Sequence, residues 1–391
     1  MTLSEKALEL HEAGGGKLEV ISKVSVANRE ELSLAYTPGV AEPCKKIKEN
    51  PDDVWRYTSK KNMVAVISNG TAVLGLGNIG AAASLPVMEG KSILLKQFGG
   101  VDSFPLCLDT KDKDELIRTV KILAPGFGGI NLEDIASPDC FEIEEILERE
   151  MDIPVFHDDQ HGTAIVVTAA LVNALKLVGK KMEEVKIVLS GPGAAGTAII
   201  KMLLHAGAKN IIACDEHGIL YKNRPAGLLD HKAMLVDITN PDGITGTLAD
   251  AVKGADVFVG VSAPRVLTPE MIGTMASDSI VYAMANPEPE ISYAEGKKAG
   301  VRVMGTGRSD APNQVNNLMA FPGIFKGALS VRARDINPAM KLAAVNAIAD
   351  CIPENELSDE RIVPDIFDPK VTENVAAAVA KAARETGVAR I

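Results

Sequence analysis

Aromatic residues and positive charge are both in short supply in this chain, and each shortage argues against the same class of partner. Aromatics make up 4 % of 391 residues, and 41 Lys and Arg face 52 Asp and Glu, a formal net charge of -11. Nucleic-acid phosphates and anionic membrane surfaces reward clustered Lys and Arg, and single-stranded bases reward stacked rings. No nucleic acid and no membrane are therefore expected as partners. The five cysteines, Cys44, Cys107, Cys140, Cys214 and Cys351, are an odd number without CxxC spacing. That pattern points away from a disulfide framework or a thiolate zinc site. No apolar run approaches the roughly 20 residues that cross a bilayer, and the charged opening MTLSEKALELHEAGG lacks the apolar core of a secretory signal. The cytoplasm is the expected compartment.

What is present is a chain with 46 % apolar residues, long enough to bury a substantial core and to divide into two domains. Two glycine fingerprints of one form occur, GLGNIG at Gly75 to Gly80 and GPGAAG at Gly191 to Gly196. A dinucleotide cradle needs a strand entering the glycines, a helix leaving them, and an acid closing the next strand. The second fingerprint meets all of these conditions. Val185 to Leu189 is an apolar run, Ala194 to His205 has helical composition, and Asn210 to Cys214 is a second run ending at Asp215, 24 residues after Gly191. Gly191, Gly193, Ala194, Ala195, Gly196 and Asp215 are thus the expected cofactor-binding positions, with the acid on the adenosine ribose. At the first fingerprint Asn69 and Gly70 interrupt the approach, Pro86 is expected to limit any following helix, and no acid ends a clear second strand.

Apolar runs alternating with glycine turns between Met63 and Asp109 suggest an α/β domain. Beyond residue 158 the alternation becomes that of a doubly wound sheet. Thr163 to Val178 reads as a long apolar helix, GADVFVGVS and SIVYAMANP as strands, and Pro338 to Asp350 and Val371 to Thr386 as helices. The expected fold is an N-terminal α/β substrate domain, 1–157, followed by a Rossmann-like parallel-sheet dinucleotide-binding domain with C-terminal helices, 158–391.

Acids occur in tight pairs, Glu133 with Asp134 and Asp158 with Asp159. Hard oxygen donors at this density suit Mg²⁺ or Mn²⁺, although such pairs in an acidic protein are also ordinary solvated surface. Lys91, in VMEGKSILL, sits at a glycine turn where burial could lower its pKa enough for base chemistry; a snorkelling surface lysine is the alternative. Tyr36 lies in a Pro–Gly loop and could equally be a buried tyrosine with a satisfied hydroxyl. His157 and His161 have helix-like spacing, but HDDQH lacks the glutamate of the HExxH zinc pattern. Asn286 follows a strand and Asn317 precedes AFPGIF, positions that suit either ligand-binding loops at a sheet edge or turns.

Taken in order, AYTPGV, LGLGNIG, VMEGK, NLED, FHDDQHGTA, GPGAAG, ANP and QVNNLMAFPG resemble the malic enzymes, in their compact bacterial form. The resemblance implies oxidative decarboxylation of L-malate to pyruvate and CO₂, with NAD or NADP reduced, a divalent metal required, and a homodimer as the assembly. Tyr36 matches the acid that protonates enolpyruvate, Lys91 the base, and Asp158 the carboxylate supporting that lysine. Glu133, Asp134 and Asp159 match the metal ligands, and Lys91, Asn286 and Asn317 the malate-binding groups. NAD is favoured because Asp215 would repel a 2′-phosphate, although Lys222 and Arg224 could neutralise it. Larger malic enzymes carry an arginine where this chain has Ala72, so another cation, from Lys23, Arg29 and Arg308, is expected on a malate carboxylate. Redox-neutral decarboxylation to lactate and a catalytically silent dinucleotide-responsive protein are the competing readings.

Overall fold

The computed structural model describes residues 1–228 and 232–391 in full and the backbone of 230–231. Two sheets organise it. The first has the order β2-β1-β3-β4 and is parallel throughout, from β1 (Met63–Ser68), β2 (Asp102–Cys107), β3 (Gly129–Leu132) and β4 (Val155–His157). Its central strand is MVAVIS, buried at every position after the first. A parallel strand covered on both faces needs such a continuous apolar run rather than alternation.

The second sheet has the order β10-β9-β8-β5-β6-β7, from β5 (Lys186–Ser190), β6 (Asn210–Asp215), β7 (Gly218–Ile219), β8 (Val257–Gly260), β9 (Ile280–Ala283) and β10 (Val303–Thr306). All pairs are parallel except β6 with the short edge strand β7. The order reverses about β5, which is the doubly wound Rossmann arrangement, with its ligand crevice at the carboxyl ends of β5 and β8.

One apolar core runs beneath both sheets. It joins Val64, Val66, Leu95 and Phe156 of the first unit to Ile165, Leu189 and Tyr282 of the second, and to Phe321, Val345 and Val379 of the C-terminal helices. The Thr163–Val178 helix lies within it and is buried over most of its length. With the turn before it, this helix has the length and hydropathy of a membrane span, but 67 % of its most apolar window is already buried in the protein. Its apolar surface is spent on the core rather than left for lipid.

Two local expectations are corrected. Pro86 does not limit the helix after the first fingerprint, and Lys91 is not at a turn; both lie inside one helix, Ala81–Gly99. Proline there removes one early helical bond, and burial of Met88, Ser92 and Leu95 along one face keeps the helix intact beyond it. The opening helix, Leu3–Gly14, buries none of its residues, and Leu3, Leu8 and Leu10 are exposed.

Candidate active site

The acids stand where parallel strands end. Glu133 and Asp134 follow β3, and Asp158 and Asp159 follow β4 in a turn of π-helical form, Asp158–Gly162, that feeds the long apolar helix. Single π turns recur at functional sites because they re-aim side chains out of the helical register. Gly162 is required here: a Cβ would lie 1.9 Å from Asp158 Oδ1. Asp134 adopts a positive φ of 54°, which a short polar side chain tolerates better than most.

Lys91 reaches this corner from its helix. Its Nζ is 2.6 Å from Asp158 Oδ2 and 3.0 Å from Glu133 Oε1, with the Phe321 ring centroid 4.3 Å away. Asn317 Nδ2 donates to the same Asp158 oxygen, Asn131 Nδ2 donates to Glu133 Oε2 at 2.8 Å, and Asp134 N donates to Asp159 Oδ2 at 2.7 Å. The expectation that burial lowers the Lys91 pKa is reversed. Burial does oppose its charge, but Asp158, Glu133 and Asp159 outweigh it and raise the pKa.

For the acids, burial dominates and mutual repulsion adds to it. The Glu133 pKa rises to about 7, that of Asp134 to about 8, that of Asp158 to about 7 and that of Asp159 to about 6. Four carboxyls crowd one ammonium, with Glu133, Asp134 and Asp158 buried and Asp159 partly exposed, and Asp134 Oδ2 and Asp158 Oδ1 are buried without a hydrogen-bond partner. Hard, orphaned oxygens whose mutual repulsion a cation would relieve fit a divalent metal ion. Glu133, Asp134 and Asp159 do not, however, form the tightest metal-like group. Among the described residues that group is Glu144, Glu148 and His161. There Lys341 Nζ, 3.7 Å from Glu148 Oε1, already supplies a cation.

The dinucleotide fingerprint lies alongside. Gly191 has φ +94° and a Cβ on it would meet Val261 O at 2.5 Å, while one on Gly196 would meet Gly191 O at 2.1 Å. The Ala194–His205 helix starts at Gly193 with no side-chain cap, leaving its first amides free for an anion. A cavity of about 470 Å³ is lined by Ala194, Ala195, Ser262, Asn286 and Gly307 from the Rossmann side and by Ala72, Asp134, Asp159 and Asn317 from the acidic corner.

Five residues singled out from the sequence do not line this cavity. Tyr36 is 66 % exposed on the N-terminal segment. Asp215 ends β6, but its side chain is almost fully buried and its oxygens are engaged by Arg224 at 2.7 and 2.8 Å and by Lys232 at 2.9 Å. Lys23 pairs with Asp102, Arg308 with Asp310 and Pro287 O, and Arg29 is exposed; none of these cations lines the cavity.

Sequence reading missed Asn131, Phe321 and Glu144. Glu144 had a signal: Cys140, Ile143, Glu144 and Leu147 follow the i, i+3, i+4, i+7 spacing of one buried stripe, and all are buried. An acid within an apolar stripe marks a polar partner across the interface. EIEEILERE hides it among solvated neighbours.

Comparison with known proteins agrees with this geometry. Residues 15–148 match the family model "Malic enzyme, N-terminal domain" and residues 160–384 match "Malic enzyme, NAD binding domain". The chain is 59 % identical to the bifunctional malic/malolactic enzyme of Bacillus subtilis, over 100 % of this chain and 95 % of that protein. It is 56 % identical to the NAD-dependent malic enzyme of Geobacillus stearothermophilus, over 96 % of this chain and 78 % of that one. The solved malic enzyme of Pyrococcus horikoshii superposes with a TM-score of 0.95 at 51 % identity, covering 100 % of this chain and 92 % of its own. With both family models matching in order along most of the chain, and the acidic corner sharing a cavity with the glycine cradle, the chain belongs to the malic enzyme family.

Proposed function

We infer that this protein oxidatively decarboxylates L-malate to pyruvate and CO₂ while reducing NAD(P), with NAD favoured and a divalent metal required. One observation carries the reading: the amide-rich start of the Ala194–His205 helix and the carboxylates Asp134 and Asp159 line the same cavity. Hydride acceptor and malate then meet at one place. The NAD-dependent relative supports the choice of nucleotide.

Glu133, Asp134 and Asp159 would hold Mg²⁺ or Mn²⁺, which supplies Lewis-acid polarisation of the substrate oxygens when bound. Lys91 takes the hydroxyl proton from malate. It is protonated while the acids face it unneutralised, and charge compensation on Glu133 and Asp159 lowers its proton affinity toward that of a usable base. Asp158, sharing one oxygen between Lys91 and Asn317, orients the amine. Asn286 and Asn317 offer amides to malate from the cavity wall. Tyr36 returns a proton to the product carbon, and the assembly is a homodimer whose second copy covers the exposed apolar N-terminal segment.

The test is turnover of L-malate with NAD or NADP, with and without Mn²⁺, measuring pyruvate and reduced nucleotide together. Equal amounts of both, dependent on Mn²⁺ and larger with NAD, are expected. Lactate formed without net NADH would overturn the oxidative reading, and nucleotide binding without turnover would favour the silent one.

A further inference from the structure

We propose that Glu144 is a positioning residue for the metal-binding turn, setting where Asp159 and Asp158 point. Glu144 lies in the Asp139–Glu150 helix and is 5 % exposed. It touches none of the four acids of the corner through a hydrogen bond. Its carboxylate instead receives three donors from the turn that carries two of them and from the strand residue just before it: His157 N at 2.9 Å and His161 Nε2 at 3.0 Å on Oε1, and Gln160 Nε2 at 3.0 Å on Oε2. These donors bracket Asp158 and Asp159 on both sides in sequence. The turn departs from regular α-helical bonding into π-helical form, and these side-chain bonds anchor it there.

The anchor is charged, and its countercharge comes from a third element. Lys341, in the Pro338–Ala349 helix and 8 % exposed, stands 3.7 Å from Glu148 Oε1, one helical turn beyond Glu144. Burial opposes ionisation of Glu144, and the His161 hydrogen bond with the Lys341 charge outweighs it, while burial holds the His161 pKa itself down. A buried carboxylate is costly unless paired and fully hydrogen-bonded. Leu would satisfy the apolar stripe but leave His157 N–H and the Gln160 amide without this acceptor. The Glu144, Glu148 and His161 group therefore reads as a brace and not as a second metal site, because its oxygens are already committed to donors and to Lys341.

The inference rests on Asp159 as a metal ligand, and its test separates the two claims. Mn²⁺ affinity is measured by electron paramagnetic resonance on wild-type protein and on Glu144→Gln, well below either melting temperature, with NAD affinity and malate KM alongside. Replacing a group that orients metal ligands costs on the order of 10- to 100-fold in metal affinity. Glu144→Gln should weaken Mn²⁺ by that factor and raise malate KM, with a smaller change in NAD affinity. If Glu144→Gln does not fold, Gln160→Leu, which removes one donor and leaves Glu144 in place, decides the matter with a smaller weakening expected. Unchanged Mn²⁺ affinity in the variant, with only a lower melting temperature, would overturn the proposal and leave Glu144 a plain fold brace. Wild-type protein without measurable Mn²⁺ binding would overturn the ligand assignment and this proposal with it.

Discussion

Lys91 shows how far the chemistry of a side chain depends on what surrounds it. Buried alone, an ammonium loses its charge easily; buried among Asp158, Glu133 and Asp159, it is held protonated. Its use as a base therefore depends on compensation of those acids. Lys91→Ala is expected to lower kcat for malate oxidation by about 10²–10⁴-fold, while Mn²⁺ affinity does not fall, because a competing cation has been removed. Steady-state kinetics with a parallel Mn²⁺ titration checks both halves. Gly162 makes a steric prediction at the same corner. A methyl group there would lie 1.9 Å from Asp158 Oδ1, so Gly162→Ala should destabilise the protein by about 1–3 kcal/mol through overpacking, read by urea denaturation.

Among the strands and helices, the end of β6 carries a charge cluster whose pH behaviour follows from its partners. Burial alone would raise the Asp215 pKa, but hydrogen bonds from Arg224 and Lys232 hold it well below the ordinary carboxylate value of 3.8. A carboxylate whose pKa is depressed on folding contributes stability that is complete above the unfolded value and is lost as pH falls toward the folded one. Asp215→Asn should accordingly be less stable than wild type at pH 7, and the gap should narrow as pH falls below 3.8; denaturant midpoints across that range test it. The Ala81–Gly99 helix carries a different lesson. Pro86 and Gly90 suggested a break and a turn, because both are poor interior helix residues, yet the buried face running from Met88 to Leu95 overrides them. Lys91 enters the site only because that override holds.

The molecule as a whole places the carboxyl ends of the parallel strands of two sheets against one shared core, so the acids after β3 and β4 and the amides after β5 open onto one cavity. The first 40 residues do not join this body in the same way. Leu8, Leu10, Val20, Ile21, Val24 and Leu34 are exposed there, as is Tyr36. Apolar exposure at this density along one segment fits an interaction surface, and the proposed homodimer would cover it. Sedimentation velocity should return twice the 41.3 kDa of one chain, and Leu8→Glu with Ile21→Glu should shift the species toward monomer. A wild-type protein that sediments as a monomer at high concentration would exclude that assembly.

Local order in the Rossmann half was readable before any coordinates. The Ala194–His205 and Thr163–Val178 helices lie where composition placed them, because in those segments propensity, apolar periodicity and glycine placement agree. The glycines of the second fingerprint were readable for the same reason: their backbone requirement is local. Other features depended on groups distant in the chain. The charge of Lys91 is decided by an acid 67 residues away, the burial of Glu144 by a turn and a C-terminal lysine, and the engagement of Asp215 by Arg224 and Lys232. Electrostatic energy and desolvation depend on distance in space rather than along the chain, so the residue types announced the chemistry and packing alone assigned each its state.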